Sequence, residues 1–313
     1  MKRLTCAICV AVGCSNPTPS PVDLVDRAPY EADVITIAAT RSPRTPHWQE
    51  IQDLCADRFA ALGFDVERHA YATGVNVIGV RTGTTKPAER VVVSAHYDSV
   101  PNCAGADDNG TGVAGTLEAA RVLSQKPHDR TLVVACWDEE ERGLIGSSAY
   151  VTRAKAAGDS IVLALVFEMI GYRNTAPMSQ MTDASLEAVF PDAAAQIRAN
   201  DYRGDFALVV NDETATTAVA DMQKVATDVS LPIVNISLLA PLKRSIAELR
   251  RSDHAPFWDA DYPALMITDT ANFRNTHYHC LRSTADALID LDFDFAVSSV
   301  KVVVGAAVAA LDR

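Results

Sequence analysis

The chain of 313 residues lacks any block of lysine and arginine. It has 28 basic against 40 acidic residues, and its formal net charge is −12. A nucleic-acid-binding surface needs clustered positive charge, so this composition argues against a nucleic-acid partner. The chain also lacks internal repeats, and its one low-complexity stretch is a proline-rich segment near the N-terminus. These absences leave a globular protein with one large core as the expectation.

The cysteines lack the close spacing of a structural zinc site. Beyond residue 14 there are four, and no two of them are separated by only two residues; they are Cys55, Cys103, Cys136 and Cys280. Structural zinc sites usually contain Cys-x-x-Cys pairs, so a zinc knuckle is not indicated. An even number of cysteines in an exported chain is instead compatible with a disulfide.

The N-terminus has the pattern of an export signal. A basic start precedes a short apolar stretch from Leu4 to Val12, which is too short to span a bilayer as a helix. Gly13-Cys14 and a proline-rich run follow, as in bacterial lipoproteins, whose cysteine becomes the lipidated N-terminus. We therefore expect an exported protein at the membrane or cell surface, attached only through lipid on Cys14, or otherwise a secreted one.

These features divide the chain into three parts. We predict a signal peptide of the lipoprotein type over residues 1–13 and a proline-rich tether over residues 14–29. One domain is predicted over residues 30–313, because the α/β pattern continues to the end of the chain without a break in composition.

Apolar strands alternate with amphipathic helices along this domain. Strands are predicted at 64–71, 75–81, 90–96, 131–136, 161–167, 206–210, 232–236 and 264–267. Helices are predicted from Pro46 to about 62, and at about 112–123, 144–157, 213–228, 254–259 and 292–310. This order predicts the α/β class, with three α/β/α layers around a mixed, mostly parallel sheet. Ligands of such sheets bind beyond the carboxyl ends of the strands.

Side chains that bind metal ions lie at the predicted strand ends. His96 ends one strand, and Asp98 follows on the same face, where its carboxylate could fix the imidazole tautomer. Asp107-Asp108-Asn109-Gly110 lies in a loop that opens a helix. Each pattern also has an ordinary interpretation, as a capped histidine or an N-cap cluster. The second pattern lacks the register of a calcium loop, which favours a carboxylate that bridges two cations.

Further carboxylates follow two more strands. Glu139-Glu140-Glu141 is followed at once by Gly143 to Ser147, a pattern that turns tightly into a helix. Such an acidic run is often only a solvated helix N-terminus. Glu168 ends an apolar strand, where a charge needs a partner. With one histidine from His277 or His279, these patches offer enough ligands for two metal ions and a free carboxylate.

The block from Trp137 to Ser147 resembles the Glu-Glu-x-Gly-Leu-x-Gly-Ser motif of a family of di-zinc peptidases. This family includes secreted bacterial leucyl aminopeptidases, glutamate carboxypeptidases and glutaminyl cyclases, and the resemblance covers residues 30–312. It implies the zinc exopeptidase fold, two zinc ions per chain and a peptide substrate. Ser252-Asp253-His254 resembles a later segment of the family that helps to shape the site.

The resemblance also implies a role for each candidate residue. Glu140 would be the general base, Asp98 would orient His96, and Glu139 would have no role. The implied zinc ligands are His96, Asp107 and Glu168 at one ion and Asp107, Glu141 and His279 at the other, with Asp107 bridging. The family's Tyr-His pair selects His279 over His277. Relatives further imply a cis peptide bond between Asp107 and Asp108.

The leading interpretation is an aminopeptidase, and three alternatives stay open. Carboxypeptidase action on acidic peptides is one, because Arg250, Arg251 or Arg274 could hold a carboxylate. A glutaminyl-cyclase-like acyltransferase would work with a single zinc, and His96 argues against it. A non-catalytic binding protein on the same fold is disfavoured because every implied ligand and the base are present.

Two of the four cysteines lie on loops that must converge at the site. Cys103 lies between two implied ligands, and Cys280 directly follows another. Loops brought this close can meet the Cα separation of roughly 5.5–6 Å that a disulfide needs. We therefore predict a disulfide between Cys103 and Cys280, with Cys55 and Cys136 as core residues. Two buried free thiols near the site are the alternative.

Overall fold

The computed structural model of the protein describes residues 19–182 and 184–313. Its strands are β1 (Asp65–Ala70), β2 (Val75–Arg81), β3 (Lys86–His96), β4 (Arg130–Trp137), β5 (Ser160–Glu168), β6 (Ala207–Asp212), β7 (Ile233–Leu238) and β8 (Ala264–Thr268). They form one eight-stranded sheet in the order β1-β2-β4-β3-β5-β8-β6-β7. The four central strands β4, β3, β5 and β8 are parallel to one another. The pairs β1–β2, β2–β4 and β6–β8 are antiparallel.

Helices cover both faces of this sheet. Their bounds are α1 (Arg27–Ile37), α2 (Pro46–Ala61), α3 (Gly112–Leu123), α4 (Ile145–Ala157), α5 (Ala184–Val189), α6 (Pro191–Ala199), α7 (Thr216–Asp228), α8 (His254–Asp259) and α9 (Phe293–Leu311). Successive residues of β3 point to opposite faces. Val91 and Val93 belong to the larger of two cores, which also contains residues of α1, α2, α3, α7 and α9, while Val92 belongs to the smaller core, which also contains residues of α4, α6 and α8. The predicted three-layer α/β architecture is confirmed.

The parallel strands bring their carboxyl ends to one edge of the sheet. His96, the last residue of β3, is paired with Trp137, the last residue of β4. Glu168 ends β5 and is paired with Thr268 at the end of β8. The hydrogen-bond register of the sheet therefore brings three sets of polar residues together: those at the ends of β3 and β5 and those that follow β4.

The helix boundaries follow from local chemistry. Thr45 caps α2 by accepting a hydrogen bond from the N–H of Trp48, and Pro46 occupies the first helical position. Asp292 caps α9 in the same way through the N–H of Phe295. α9 is long and apolar enough to cross a membrane by composition, but 67% of its most apolar window is buried inside the protein. It is therefore the central helix of the larger core.

The folded part of the chain begins before residue 30, which corrects the expected tether. The carboxylate of Asp26 caps α1, and Val25 is buried in the larger core. Tyr30 is fully buried and donates a hydrogen bond to the carbonyl of Thr111. The tether prediction missed this helix because its mixture of charged and apolar residues has weak periodicity. The predicted signal peptide and Cys14 lie outside the described residues.

The predicted disulfide between Cys103 and Cys280 is confirmed. Their Cα atoms lie 5.5 Å apart, and the bond joins positions 177 residues apart in sequence. Cys55 on α2 and Cys136 on β4 are buried free thiols within the larger core, as expected. The disulfide therefore ties the loop after β3 to the loop that carries His279.

Candidate metal centre

Six side chains form two adjacent groups that could each hold a metal ion. The first group is His96, Glu140 and Glu168, and the second is Asp108, Glu141 and His279. Within each group the potential ligand atoms lie within 4.8 Å of one another. The structure therefore brings together five of the residues that the sequence singled out, and it adds Asp108.

Asp108, a member of the second group, also faces the first. One oxygen, Oδ1, is 3.5 Å from Nε2 of His96, and the other, Oδ2, is 3.1 Å from Nε2 of His279. Nε2 of His279 is also 3.1 Å from Oε2 of Glu141, and Nε2 of His96 is 3.4 Å from Oε2 of Glu168. A carboxylate with one oxygen toward each group has the geometry needed to bridge two cations.

Asp107 does not lie in either group, so the predicted bridging residue is corrected by one position. Its Oδ1 accepts hydrogen bonds from the N–H of Gly171 and the hydroxyl of Thr111, at 2.9 and 3.2 Å. Its Oδ2 accepts one from the side chain of Asn275 at 3.0 Å. The cis peptide bond likewise lies between Asp108 and Asn109, one position later than predicted. Two adjacent aspartates in one loop gave no local signal for choosing between them.

A tight turn after β4 presents Glu140 and Glu141 to the two groups. The carboxylate of Asp98 accepts the N–H of Glu140 at 3.0 Å and that of Glu141 at 3.3 Å. Its Oδ1 also lies 3.4 Å from Nδ1 of His96. Asp98 thus contacts both the imidazole that it was predicted to orient and the turn that carries the adjacent glutamates.

Glu139 contributes no atom to either group. Its carboxylate is fully buried, accepts a hydrogen bond from the hydroxyl of Thr73 and forms an ion pair with Arg142 at 2.7 Å. Its φ of 54° lies in the left-handed region, which a tight turn needs here to direct the next two side chains the other way. Glu139 is therefore a structural residue of the turn, consistent with the absence of a role in the site.

The two histidines of the Tyr-His segment face different partners. His279 contacts Asp108 and Glu141, and its ring stacks on that of Tyr278 with 3.7 Å between the ring centroids. Nδ1 of His277 instead lies 2.9 Å from the carboxylate of Asp290, away from both groups. The choice of His279 over His277 agrees with this geometry.

Burial and mutual repulsion change the protonation of these side chains. Burial and the nearby carboxylates of Glu168 and Asp253 raise the pKa of Glu140 well above its usual range, although His96 opposes this. Burial and Asp108 raise the pKa of Glu141 to about 7. Burial lowers the pKa of His279, but its hydrogen bonds with Asp108 and Glu141 prevail and raise it to about 10. Without metal ions, protons must neutralise part of this cluster.

The donor atoms fit zinc ions. Nε2 of His96 and Oε1 of Glu141 are buried and have no hydrogen-bond partner among the described residues. A buried polar atom without a partner costs about 1–3 kcal/mol, and a cation would remove that cost for both. Imidazole nitrogens combined with carboxylate oxygens are a usual ligand set for zinc. The carboxylates exceed the histidines, as expected for ligands that must neutralise divalent cations.

An apolar cavity adjoins the metal centre. It has a volume of about 160 Å³ and is lined mainly by apolar side chains, among them Leu186, Phe190, Phe206, Leu208, Ile236 and Phe273. A smaller cavity of about 70 Å³ shares Leu208 and Phe273 with it and reaches Glu168 and Tyr278. The two cavities are therefore neighbours, and among the described residues only the smaller one is lined by a member of the ligand groups.

The three arginines considered for carboxylate binding are already engaged. Arg250 pairs with Asp259 at 2.7 Å, and Arg274 is buried and donates to the side chain of Gln180 at 2.9 Å. Arg251 lines the smaller cavity, but its guanidinium lies 2.9 Å from the carboxylate of Glu248. This pairing leaves little free positive charge for a substrate carboxylate.

Two residues to which the sequence assigned no definite role hold the ligands in place. They are Ser252 and Asn109. The hydroxyl of Ser252 donates to Oε2 of Glu168 at 2.7 Å. The side-chain amide of Asn109 donates to the carbonyl of Phe167, and its oxygen accepts the N–H of Met169. Ser252 belongs to the segment whose family resemblance pointed to the site, whereas Asn109 had no signal beyond its position beside Asp108.

Comparison with known proteins agrees with this site. Peptidase family M28 matches residues 76–300, and the chain belongs to that family. The resemblance to di-zinc peptidases is thereby confirmed, and the match includes all six residues of the two groups.

Individual relatives match shorter parts of the chain. YfbL of Escherichia coli strain K12 is 33% identical over 212 residues, which cover 63% of this chain and 61% of YfbL. LpqL of Mycobacterium tuberculosis, described as a probable lipoprotein aminopeptidase, is 40% identical over 130 residues, 39% of this chain and 26% of LpqL. The chain thus spans less than two thirds of either relative.

Among solved structures, the LapA aminopeptidase of Legionella pneumophila has the same fold. It superimposes with a TM-score of 0.69 at 17% identity, over 94% of this chain and 74% of LapA. At this identity the similarity establishes the architecture alone.

The carboxylate cluster predicts an unusual pH dependence for protein freed of metal by a chelator. Burial raises the pKa of Glu141 and Asp286 to about 7 and that of Asp138 to about 6. Their ionised forms destabilise the fold above those values, and this penalty disappears as the pH falls toward the unfolded values near 4. The raised pKa of His279 acts in the same direction, because its stabilisation is complete below its ordinary pKa and is lost only as pH rises toward 10.

The melting temperature of the chelator-treated protein should therefore be higher at pH 5.5 than at pH 8, by about 5 °C. Two histidines oppose this trend, because burial lowers the pKa of His254 to about 4 and also lowers that of His69, but the groups with raised pKa values outnumber them. Zinc-saturated protein is the control, and its trend should be reversed because protons compete with the metal for the ligands. A chelator-treated protein that loses stability on acidification over this range would contradict the expected crowding of carboxylates.

Proposed function

We propose that the protein is an aminopeptidase with two zinc ions, which removes apolar residues from the N-termini of peptides. The observation that carries this proposal is Asp108, whose two oxygens face two separate ligand groups. His96 and Glu168 would hold one ion, Glu141 and His279 the other, and Asp108 both. Glu140 belongs to the first group by its position, but with His96, Glu168 and Asp108 as ligands of that ion its carboxylate is free to act as a base.

Glu140 is the proposed general base. When bound, the zinc ions lower the pKa of a water molecule and polarise the scissile carbonyl. The carboxylate of Glu140 accepts a proton from the attacking water and later returns it to the leaving amine. In the metal-free protein, burial and the neighbouring Glu168 raise the pKa of Glu140, although His96 opposes this. Asp98 holds the turn that aims Glu140.

The charge around the smaller cavity favours a substrate with a free α-amino group. Glu168 and Glu248 both line this cavity, and its only arginine, Arg251, is paired with Glu248. Because its pair with Glu248 occupies Arg251, the cavity offers no unpaired arginine among the described residues to a C-terminal carboxylate, which favours a substrate recognised through its amine. Carboxypeptidase action is the second candidate, because Arg251 could bind a carboxylate if a substrate displaced Glu248.

The larger cavity supports a preference for apolar N-terminal side chains. Its lining is mainly aliphatic and aromatic, with Gln180, Thr182, Glu248 and Thr270 as polar members, and it shares lining residues with the smaller cavity that reaches Glu168. Burial of a leucine-sized side chain contributes about 1.5–3 kcal/mol, whereas burial of an unpaired charge is unfavourable. The side chain of the substrate's first residue would occupy this space.

We further propose that the chain is exported and carries lipid on Cys14. The pattern of the first residues supports this, as does the description of LpqL as a probable lipoprotein aminopeptidase. A disulfide between Cys103 and Cys280 is compatible with an oxidising compartment.

Replacing Glu140 by glutamine should abolish most turnover while leaving bound zinc in place. The change removes the base but no proposed ligand, so kcat should fall by about 10²- to 10⁴-fold. Glu139→Gln is the matched control, since Glu139 is the preceding residue of the same turn and should affect activity far less. Steady-state kinetics and zinc content of both variants test this, and an inactive Glu139→Gln beside an active Glu140→Gln would contradict the assignment.

Replacing Asp108 by asparagine should lower zinc occupancy at both sites. The wild-type protein should hold about two zinc ions per chain by elemental analysis. Asp107→Asn is the control, because Asp107 donates no atom to either group and its loss should leave the stoichiometry near two. Selective zinc loss in Asp107→Asn, with full occupancy in Asp108→Asn, would restore the register expected from the sequence.

A panel of peptides should separate the proposed activity from its alternatives. Peptides that begin with leucine or phenylalanine should exceed those that begin with glutamate or lysine by about 10- to 100-fold in kcat/KM. Acetylation of the N-terminus should abolish cleavage, whereas amidation of the C-terminus should have little effect. The reverse response to these two modifications would favour the carboxypeptidase, and cyclisation of N-terminal glutamine would favour the acyltransferase.

The proposed lipid can be tested with Cys14→Ser. In a bacterial host the unaltered chain should incorporate labelled palmitate and partition into a detergent phase, since acyl chains anchor proteins by burial in the membrane. The variant should lose the label and remain catalytically active. Incorporation that persists in Cys14→Ser would disprove attachment at this residue.

A further inference from the structure

The backbone of Asp108 is held between two buried charged side chains that belong to neither ligand group. On one side, the carboxylate of Asp286 accepts the N–H groups of Asp107 and Asp108, each at 2.9 Å. On the other, the guanidinium of Arg41 donates to the carbonyl of Asp108 at 3.1 Å. Both side chains are almost fully excluded from solvent. The carboxyl group of Asp286 and the guanidinium of Arg41 thus hold the N–H and the carbonyl of Asp108 from opposite sides.

Arg41 holds the whole segment that links His96 to Asp108. Its Nε donates to the carbonyl of Tyr97 at 2.7 Å, and its Nη1 and Nη2 donate to those of Ala104 and Gly105 at 2.6 and 2.8 Å. Within the described residues, all of its side-chain hydrogen bonds go to backbone carbonyls. A planar guanidinium has five N–H donors in a rigid fork, so one side chain can fix several carbonyls in a defined arrangement.

Asp286 connects the same turn to the loop that carries His279. Its N–H donates to Sγ of Cys280 at 3.3 Å, and its carbonyl accepts the N–H of Ala106 at 3.4 Å. Cys280 directly follows His279, and its disulfide partner Cys103 lies in the segment held by Arg41. Asp286 therefore bonds to both of the loops from which Asp108 and His279 reach the site.

We propose that Arg41 and Asp286 are positioning residues of the metal centre, which fix the backbone of Asp108 so that each of its oxygens faces one ligand group. The inference rests on the proposed bridging role of Asp108. A carboxylate directed at two places tolerates little rotation, because a turn of its backbone displaces both oxygens together. Loss of either positioning residue should therefore weaken both sites, unlike loss of a ligand from one group.

The expected effect is a fall of about 10- to 100-fold in zinc affinity at both sites, the usual consequence of removing a group that orients a metal ligand. A purely structural role would give a different result. In that case the variants would lose stability in the metal-free state, while the folded fraction would bind zinc as the wild type does.

Two variants with matched controls distinguish these cases. Arg41→Lys keeps the charge but replaces the fork by a point donor, and Asp286→Asn replaces one acceptor oxygen by a donor. Arg274→Lys is the control for the first, since Arg274 is a buried guanidinium that donates to the carbonyl of Phe206. Asp212→Asn is the control for the second, since Asp212 is a buried carboxylate that accepts the N–H of Thr214 and pairs with Lys243.

Metal-free samples of the full chain would be titrated with zinc against a competing chelator, and with cobalt to follow its visible absorption. Thermal unfolding of the same samples would report stability without metal. The proposal expects weaker binding of both ions and altered cobalt spectra in Arg41→Lys and Asp286→Asn, with neither change in the controls.

Unchanged affinities in either positioning variant would overturn the proposal, as would weakening of one ion alone. Unfolding of both metal-free variants, with folded controls, would also count against it, because it would assign the two residues to the fold. A wild-type protein that binds no zinc would instead disprove the proposed function itself, so the two failures can be told apart.

Discussion

Much of this structure depends on the repulsion among carboxylates that the sheet gathers at one edge. Asp98, Asp108, Glu140, Glu168 and Asp253 all lie in or beside a space from which water is largely excluded. Ionised carboxylates cannot be buried together without compensating positive charge. The protein itself supplies two histidines and the buried guanidinium of Arg41, which is too little. The remaining negative charge must be balanced by the cations that this cluster can bind.

The side chains of the two ligand groups are held in two ways. His96 and Glu168 are the last residues of β3 and β5, so the hydrogen bonds of adjacent strands determine where they lie. Glu140 of the first group and all three members of the second group come from turns and loops, which have no such constraint. Each of these turns is instead tied by a specific contact. Asp98 accepts the N–H groups of the glutamate turn, Asp286 accepts those of the Asp108 turn, and the disulfide tethers the loop after His279.

This difference explains which predictions from the sequence succeeded. The strand-end ligands were predictable because periodicity locates the strands and the α/β class locates their ends. The helices from Pro46 onward, with the exception of α5 and α6, were predictable for the same reason. The sequence predicted Asp107 in place of Asp108 because adjacent residues of a loop show no periodicity. In the structure, hydrogen bonds from Gly171 and Asn275 hold the carboxylate of Asp107 outside the two ligand groups. The tether was extended too far because α1 is stabilised by packing that its own sequence does not reveal.

The sequence by itself determined the class of fold and the chemical types of the candidate ligands, and its motif singled out Glu140 as the proposed base, since each depends on patterns within a few neighbouring residues. It also indicated the disulfide, because both cysteines lie next to residues that had to converge. Only the tertiary structure decided that the two oxygens of Asp108 face His96 and His279 and that Glu139 lies outside both groups. It alone revealed the apolar cavity and the positions of Arg41 and Asp286. These features arise from contacts between segments far apart in the chain, such as the 178 residues between Asp108 and Asp286. Patterns among neighbouring residues do not predict contacts at that sequence separation, so only the folded chain defines these contacts.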